Sequence, residues 1–230
     1  MVLMQEMVAQ MQRDTPSRIQ RQHYALHQRD VAVIHMLLEI PLRARNLLEL
    51  TLGGSIYRDA GSGLWWVDIP KEQLKNHRSP NAEAIHRELA AEASAAMDAY
   101  VNEGRPILDP EGRSKALFLV QAKAGKRKKS NATVSLTQTA LDHLLTKYLR
   151  RYFGVGTGPH FFRHLIATAI LRADPSAIDA AAAVLNISHA VCRKRYAHLL
   201  QKDGLDRANE FMKNKRLKHQ TLYGRSRRRA

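Results

Sequence analysis

Apolar positions recur at helical spacing from about Ile19 to Glu39, where Val31, Ile34, Leu37 and Leu38 share one face, and the pattern predicts an amphipathic helix. Pro41 interrupts it, and "LRARNLLEL" resumes a helical pattern from about Leu42 to Leu50. The period then changes. Gly53, Gly54, Gly61 and Gly63 punctuate two short β-prone runs, "SIYR" and "LWWVDI", which predict a small antiparallel sheet. The polar "KEQLKNHRSPN" is turn-like, and "AEAIHRELAAEASAAMDAYVNEG" predicts a helix up to Gly104 through its Ala and Glu content. "ALFLV" is a short apolar run.

Further on, Ser135 with Gln138 forms a capping-box pattern ahead of "LTQTALDHLLTKYLRRYFG", a helix expected to stop near Gly154. Asp174 and Pro175 suit the N-cap and first residue of the helix "PSAIDAAAAVLN", with Asn186 as a left-handed C-cap. Ser188 can cap one more helix, "HAVCRKRYAHLLQK", which Gly204 would stop. The expected fold class is mainly α with a small antiparallel β-sheet (α+β). Residues 1–18 are expected to be an N-terminal lead-in or linker, 19–205 the main domain and 206–230 a basic C-terminal tail, extended unless something holds it.

Composition narrows the partners. The 230 residues include 37 Lys and Arg against 21 Asp and Glu, a formal net charge of +16. Such an excess favours a polyanion, because neutralising phosphates releases condensed counterions. Nucleic acid leads, and an anionic membrane surface is second. Cys192 is the only cysteine, which excludes an intrachain disulfide framework or cysteine-based zinc site and implies a reducing, intracellular setting. The chain offers neither an apolar run of the ~20 residues a membrane span needs nor a signal-peptide pattern at "MVLMQEMVAQMQRDTPSR".

Three stretches combine charged or nucleophilic residues with segments that should pack. In "PLRARNLLEL", one of Arg43 and Arg45 should be partly enclosed beside Leu47, Leu48 and Leu50. In "GTGPHFFRHLIATAIL", His160, Arg163 and His164 open an otherwise apolar helix, and the three-residue spacing lets His160 and Arg163 face one target. In "SHAVCRKRYAHLL", Tyr196 follows Arg193, Lys194 and Arg195. A fourth stretch, "QAKAGKRKKSN", gathers Lys123, Lys126, Arg127, Lys128 and Lys129 in a loop suited to phosphate contact or to solvation alone.

In order and spacing, "LRARNLLEL", "HFFRHLIATAIL" and "LNISHAVCRKRYAHL" resemble the three signature boxes of the tyrosine recombinase (phage integrase) family. The resemblance covers about Ile19 to Leu205 and implies that family's catalytic-domain fold. It implies Arg43 and Arg163 as the two catalytic arginines, His160 as the histidine ahead of the second, and Tyr196 as the nucleophile. Lys75 matches the family's β-hairpin lysine, with Lys71 as fallback. Two positions depart from the pattern. Asn46 stands where an acidic residue is usual, and Ile187 occupies the place of the third-box histidine or tryptophan, leaving His189 as its candidate replacement.

The chemistry fits these residue types. Two guanidiniums can fork onto the non-bridging oxygens of a phosphodiester and stabilise the charge that grows there. A tyrosine, with a free pKa of about 10, needs a base such as His160 or a neighbour as it attacks phosphorus. Lys75 can protonate the departing 5′-oxygen. A 3′-phosphotyrosine conserves the bond energy, so a second 5′-hydroxyl can rejoin the strand. No cofactor or metal is expected, since the arginines supply the positive charge.

The resemblance also implies double-stranded DNA as partner, and Lys123, Lys126, Arg127, Lys128, Lys129 and Arg193 are the basic residues expected to contact it. It implies a homo-oligomer on DNA through the C-terminal segment, and a cytoplasmic, nucleoid-associated protein of bacterial, phage or mobile-element origin. Family members carry an N-terminal clamp domain, so the chain is expected to be a fragment or to have its clamp supplied elsewhere. Three alternatives stay open: a non-cleaving DNA-binding relative of the same fold, a type IB topoisomerase-like enzyme, and a plain basic nucleic-acid-binding protein.

Overall fold

The computed structural model describes residues 2–74, 77, 78, 83–120 and 135–197. In chain order the elements are α1 (Val2–Arg13), α2 (Arg21–Glu39), α3 (Ala44–Leu48), β1 (Ile56–Arg58), β2 (Trp65–Ile69), β3 (Ile85–Glu88), α4 (Ala91–Ala99), α5 (Arg105–Leu108), α6 (Gln138–Phe153), α7 (His160–Ala173) and α8 (Ile178–Leu185). Residues 189–197 are helical as well. The expected mainly α fold with a small antiparallel sheet is what forms.

α2 is the central element. It packs against α1, α4, α5 and α7, and every residue from His27 to Leu37 is buried. The apolar face read from the sequence is therefore only part of its buried surface. A helix enclosed on all sides must also satisfy its polar residues internally. Arg29 pairs with Asp30 at 2.6 Å and donates to the Leu119 carbonyl, while the His27 ring meets the Met11 carbonyl at 2.8 Å. Burial raises the Asp30 carboxyl pKa, and Arg29 opposes that shift.

Residues 1–18, expected as a lead-in, contain α1, whose Met4, Met7, Val8 and Met11 join the same core as α2. Met4, Met7, Val8 and Met11 stand at helical spacing, a signal that the expectation of a lead-in passed over.

The sheet has the order β1-β2-β3, antiparallel throughout. Ile56 pairs with Val67, and Ile69 with Ile85. Burial alternates along β2, so Trp65, Val67 and Ile69 enter the core while Trp66 and Asp68 face the other way. The predicted helix from residue 82 is corrected here: "IHRE" is the third strand, and helix begins only at Ala91. Four residues are too few for their own periodicity to decide, and pairing with β2 does so.

Nor does the helical path stop at Gly104. It widens into a π-helical turn, Tyr100–Gly104, and continues as α5. A Cβ on Gly104 would lie 3.2 Å from both the Ala25 carbonyl oxygen and Gln28 Cβ, so this glycine serves close packing against α2.

Two caps also differ from expectation. Thr137, not Ser135, caps α6 by accepting from the Ala140 N–H, and Ser135 instead bridges to Leu119. Asp174 accepts from the backbone and hydroxyl of Ser176 in a turn, and α8 starts only at Ile178. Gly154 and Asn186 do end α6 and α8 in the left-handed conformation, at φ 70° and 47°. The Ser188 hydroxyl accepts from the Val191 N–H and caps the last described helix.

The apolar interior falls into two clusters. The larger holds α1, α2, the sheet, α4 and α6, and reaches Phe162 at the start of α7. The smaller consists of Ala167, Leu171, Ile178, Ala181, Ala182, Leu185, Cys192 and Tyr196. α7 joins them, one end in each.

Candidate active site

The site forms where α7 crosses the entry to α3 and the end of α8. Pro41 ends the run of α2, and the extended backbone at Arg43 makes it the N-cap residue of α3. Arg43 is half-buried, whereas Arg45 is exposed and pairs with Glu49 at 2.8 Å. Of the two arginines in this stretch, Arg43 is thus the enclosed one.

α7 begins at His160, and Arg163 lies one turn in. Phe162, fully buried, anchors that turn to the main core. Arg163 is itself only 6% exposed. Its Nη1 donates to the Pro41 carbonyl and its Nη2 to the Leu185 carbonyl at 2.5 Å. A single guanidinium therefore ties together the segment before α3, α7 and the end of α8. Burial, reinforced by Arg43, lowers its pKa to about 10, which leaves it charged at neutral pH.

Arg43, His160 and Arg163 line one cleft of about 390 Å³, together with Gln138 and Asp142 of α6. A larger cleft of about 550 Å³ lies between α2 and α6, beside His143 and Lys147. Neither Arg43 nor Arg163 lines it.

The electrostatics of the smaller cleft are those of an anion site. Partial burial lowers the Arg43 pKa, and Arg195 lowers it further. The His160 pKa is likewise lowered, first by partial burial and then by Arg163, His164, Arg195 and Arg43. Cations gathered this closely repel one another, and an oxyanion relieves that repulsion.

Tyr196 is 2% exposed in the smaller cluster. Its hydroxyl lies 3.2 Å from Nδ1 of His164, and the two rings meet at a steep angle with centroids 5.7 Å apart. Burial raises the phenol pKa, while Arg195 and Arg163 pull it down.

The remaining sequence candidates divide. His189 is exposed and sits 3.4 Å from Asp179, while Ile187 packs against the smaller cluster. Arg193 is exposed on the helical stretch that carries Tyr196. Lys71 opens a short turn, Lys71–Gln73, that is tied to α3 by Asn46, whose Nδ2 donates to the Gln73 carbonyl at 3.1 Å. Lys75, Lys123, Lys126, Arg127, Lys128 and Lys129 lie outside the described residues.

Sequence reading assigned no role to Arg195 or to the pairing of His164 with Tyr196. The first had a signal in the basic run before the tyrosine. The second had none beyond the adjacency of His164 to Arg163. Among the described residues, no group of His, Cys, Asp and Glu side chains could hold a metal ion, and no helix is long and apolar enough to cross a membrane.

No protein-family model and no curated protein matches the sequence. Solved structures do match. A pre-cleavage complex of the XerH site-specific recombinase bound to difH substrate superposes with a TM-score of 0.58 at 16% identity, over 83% of this chain and 47% of that one. Its post-cleavage complex with palindromic difH gives 0.61 at 16% identity, over 92% of this chain and 52% of that one. The fold is that of a tyrosine recombinase catalytic domain.

The chain spans about half the length of these recombinases. Within the tyrosine recombinase fold, the box-like stretches around Arg43, Arg163 and Leu185 are distant in sequence and meet at the Arg163 guanidinium. Asn46, at the usually acidic position, is 4% exposed and acts as a backbone tie.

Proposed function

We propose that this chain is the catalytic unit of a site-specific DNA recombinase that cleaves and rejoins DNA through a 3′-phosphotyrosine on Tyr196. The observation that carries the reading is the convergence of Arg43, His160 and Arg163 on one cleft, with Tyr196 held beside the same helix. In this reading Arg43 and Arg163 grip the non-bridging oxygens, and His160 hydrogen-bonds the phosphate. An imidazole takes the phenolic proton, and Lys75 protonates the 5′-oxygen. His189, near Asp179 in the free chain, is the reserve imidazole for the third box.

The catalytic domain in this proposal extends the expected 19–205 to include α1, whose methionines share its core, and it works on the nucleoid. Lys123, Lys126, Arg127, Lys128, Lys129 and Arg193 contact DNA phosphates, and the segment after Leu205 links protomers on DNA.

The test incubates the protein with nicked suicide duplexes tiled across the ends of the DNA element that encodes it. A covalent protein–DNA adduct on a denaturing gel, lost in Tyr196→Phe, is the expected result. Salt-sensitive binding with no adduct on any duplex would instead favour the second reading, a non-cleaving relative, which draws its support from Ile187 at the third-box position.

A further inference from the structure

Tyr196 is buried, and burial opposes its ionisation, so attack on phosphorus requires a proton acceptor at the hydroxyl itself. Among the described residues, three places come first as sources of an imidazole. The third-box position is filled by Ile187, an apolar side chain packed on the smaller cluster. His189 stands beside Asp179. His160 lines the cleft with Arg43 and Arg163, on the side where a phosphate would sit. A fourth residue, His164, places its Nδ1 3.2 Å from the Tyr196 hydroxyl.

We infer that His164 is the general base that takes the Tyr196 proton during strand cleavage, an inference that rests on the reaction proposed above. The contact is built into the fold. α7 is anchored by Phe162 in the main core and by Ala167 and Leu171 in the smaller one, and Tyr196 belongs to that smaller cluster. Both rings are thus fixed by the same packing. His164 is exposed, so a proton it accepts has a route to solvent. Among the described residues, Arg195, Cys192 and Arg163 act electrostatically on the Tyr196 phenol, and His164 in turn acts on His160. Arg195 and Arg163 favour loss of the phenolic proton.

The step balances. The Tyr196 oxygen forms a bond to phosphorus as its proton passes to Nδ1 of His164. The bond from phosphorus to the 5′-oxygen breaks, its electron pair leaves on that oxygen, and the oxygen takes a proton from Lys75 or water. In rejoining, the incoming 5′-hydroxyl passes its proton back to neutral Lys75 or water as its oxygen bonds to phosphorus, the bond from phosphorus to the Tyr196 oxygen breaks, and protonated His164 returns a proton to that oxygen.

The test measures single-turnover adduct formation on the nicked suicide duplexes, in the full chain, for wild type, Tyr196→Phe, His164→Ala and His164→Asn. Asn can still hydrogen-bond the tyrosine but cannot take its proton. Both His164 variants should bind DNA as wild type does and form adduct about 100-fold more slowly, and added imidazole should partly restore His164→Ala. A duplex with sulfur in place of the bridging 5′-oxygen needs no proton on departure, so it should rescue Lys75→Ala but neither His164 variant.

Wild-type rates in His164→Asn would overturn the inference by reducing His164 to a positioning contact. Unchanged rates in both variants, or rescue of both by sulfur, would overturn it while leaving the recombinase reading intact. No adduct from wild type on any duplex ends both.

Discussion

Nη2 of Arg163 on α7 donates to the carbonyl of Leu185, the last residue of α8, at 2.5 Å. An arginine carries five N–H donors in a fixed fork. Two point at backbone carbonyls here, the second being that of Pro41, and the rest remain for a phosphate. The residue that would stabilise the reaction's charge is therefore also the one that holds the third stretch in place.

Replacing Arg163 should show both roles. Arg163→Lys keeps the charge but loses the fork. Adduct formation should fall at least ~100-fold, the scale of removing a transition-state donor. One carbonyl left unpaired should lower stability by about 1–3 kcal/mol. Urea unfolding and single-turnover cleavage measure the two effects, and an unchanged urea midpoint would refute the structural role.

The two buried histidines of α2 should make their contribution to stability fall in acid. Burial is the largest influence on His27 and His35, and it holds the pKa of each below the ordinary 6.5. As pH falls through about 6.5, the unfolded chain binds protons that the folded chain refuses. The stability tied to these two groups is thus complete above that value and is lost as pH falls towards their depressed folded values. Urea midpoints compared at about pH 7 and about pH 5.5 check this. His35→Leu should flatten the dependence and raise stability at neutral pH, because His35 Nε2 is buried with no hydrogen-bond partner among the described residues.

Cys192 should behave as a packing residue. It is fully buried one helical turn before Tyr196, and burial raises its thiol pKa. Both effects suppress the thiolate, so a thiol-reactive disulfide reagent should label the native protein slowly and the urea-unfolded protein at once. Fast labelling of the native chain would mean that the cluster around Tyr196 opens readily.

α1 should prove to be part of the domain. Met7 is 2% exposed and Met11 fully buried, both in the main core. Met7→Ala should cost about 2–5 kcal/mol, and removal of residues 1–18 more than that single change, as read from urea unfolding. A truncated chain as stable as the full one would return the segment to the status of a linker.

The amino-acid sequence by itself determined the elements whose causes are local. The apolar period marked α2, the glycine-bounded runs marked β1 and β2, and Gly154 and Asn186 marked the ends of α6 and α8, because helix period and left-handed caps depend on residues within a few positions. It also offered candidates, one of Arg43 and Arg45 together with His160, Arg163 and Tyr196, since a charged or nucleophilic side chain in a segment that should pack is visible without knowing its neighbours.

What tertiary structure decided were relations between distant positions. Arg163 reaches the Pro41 carbonyl across 122 residues, and Tyr196 meets His164 across 32. The same holds for the choice of Arg43 over Arg45, the third strand "IHRE" and the burial of α1. Burial and hydrogen-bond partners are set by which surfaces the packed elements bring together, and no local pattern encodes that.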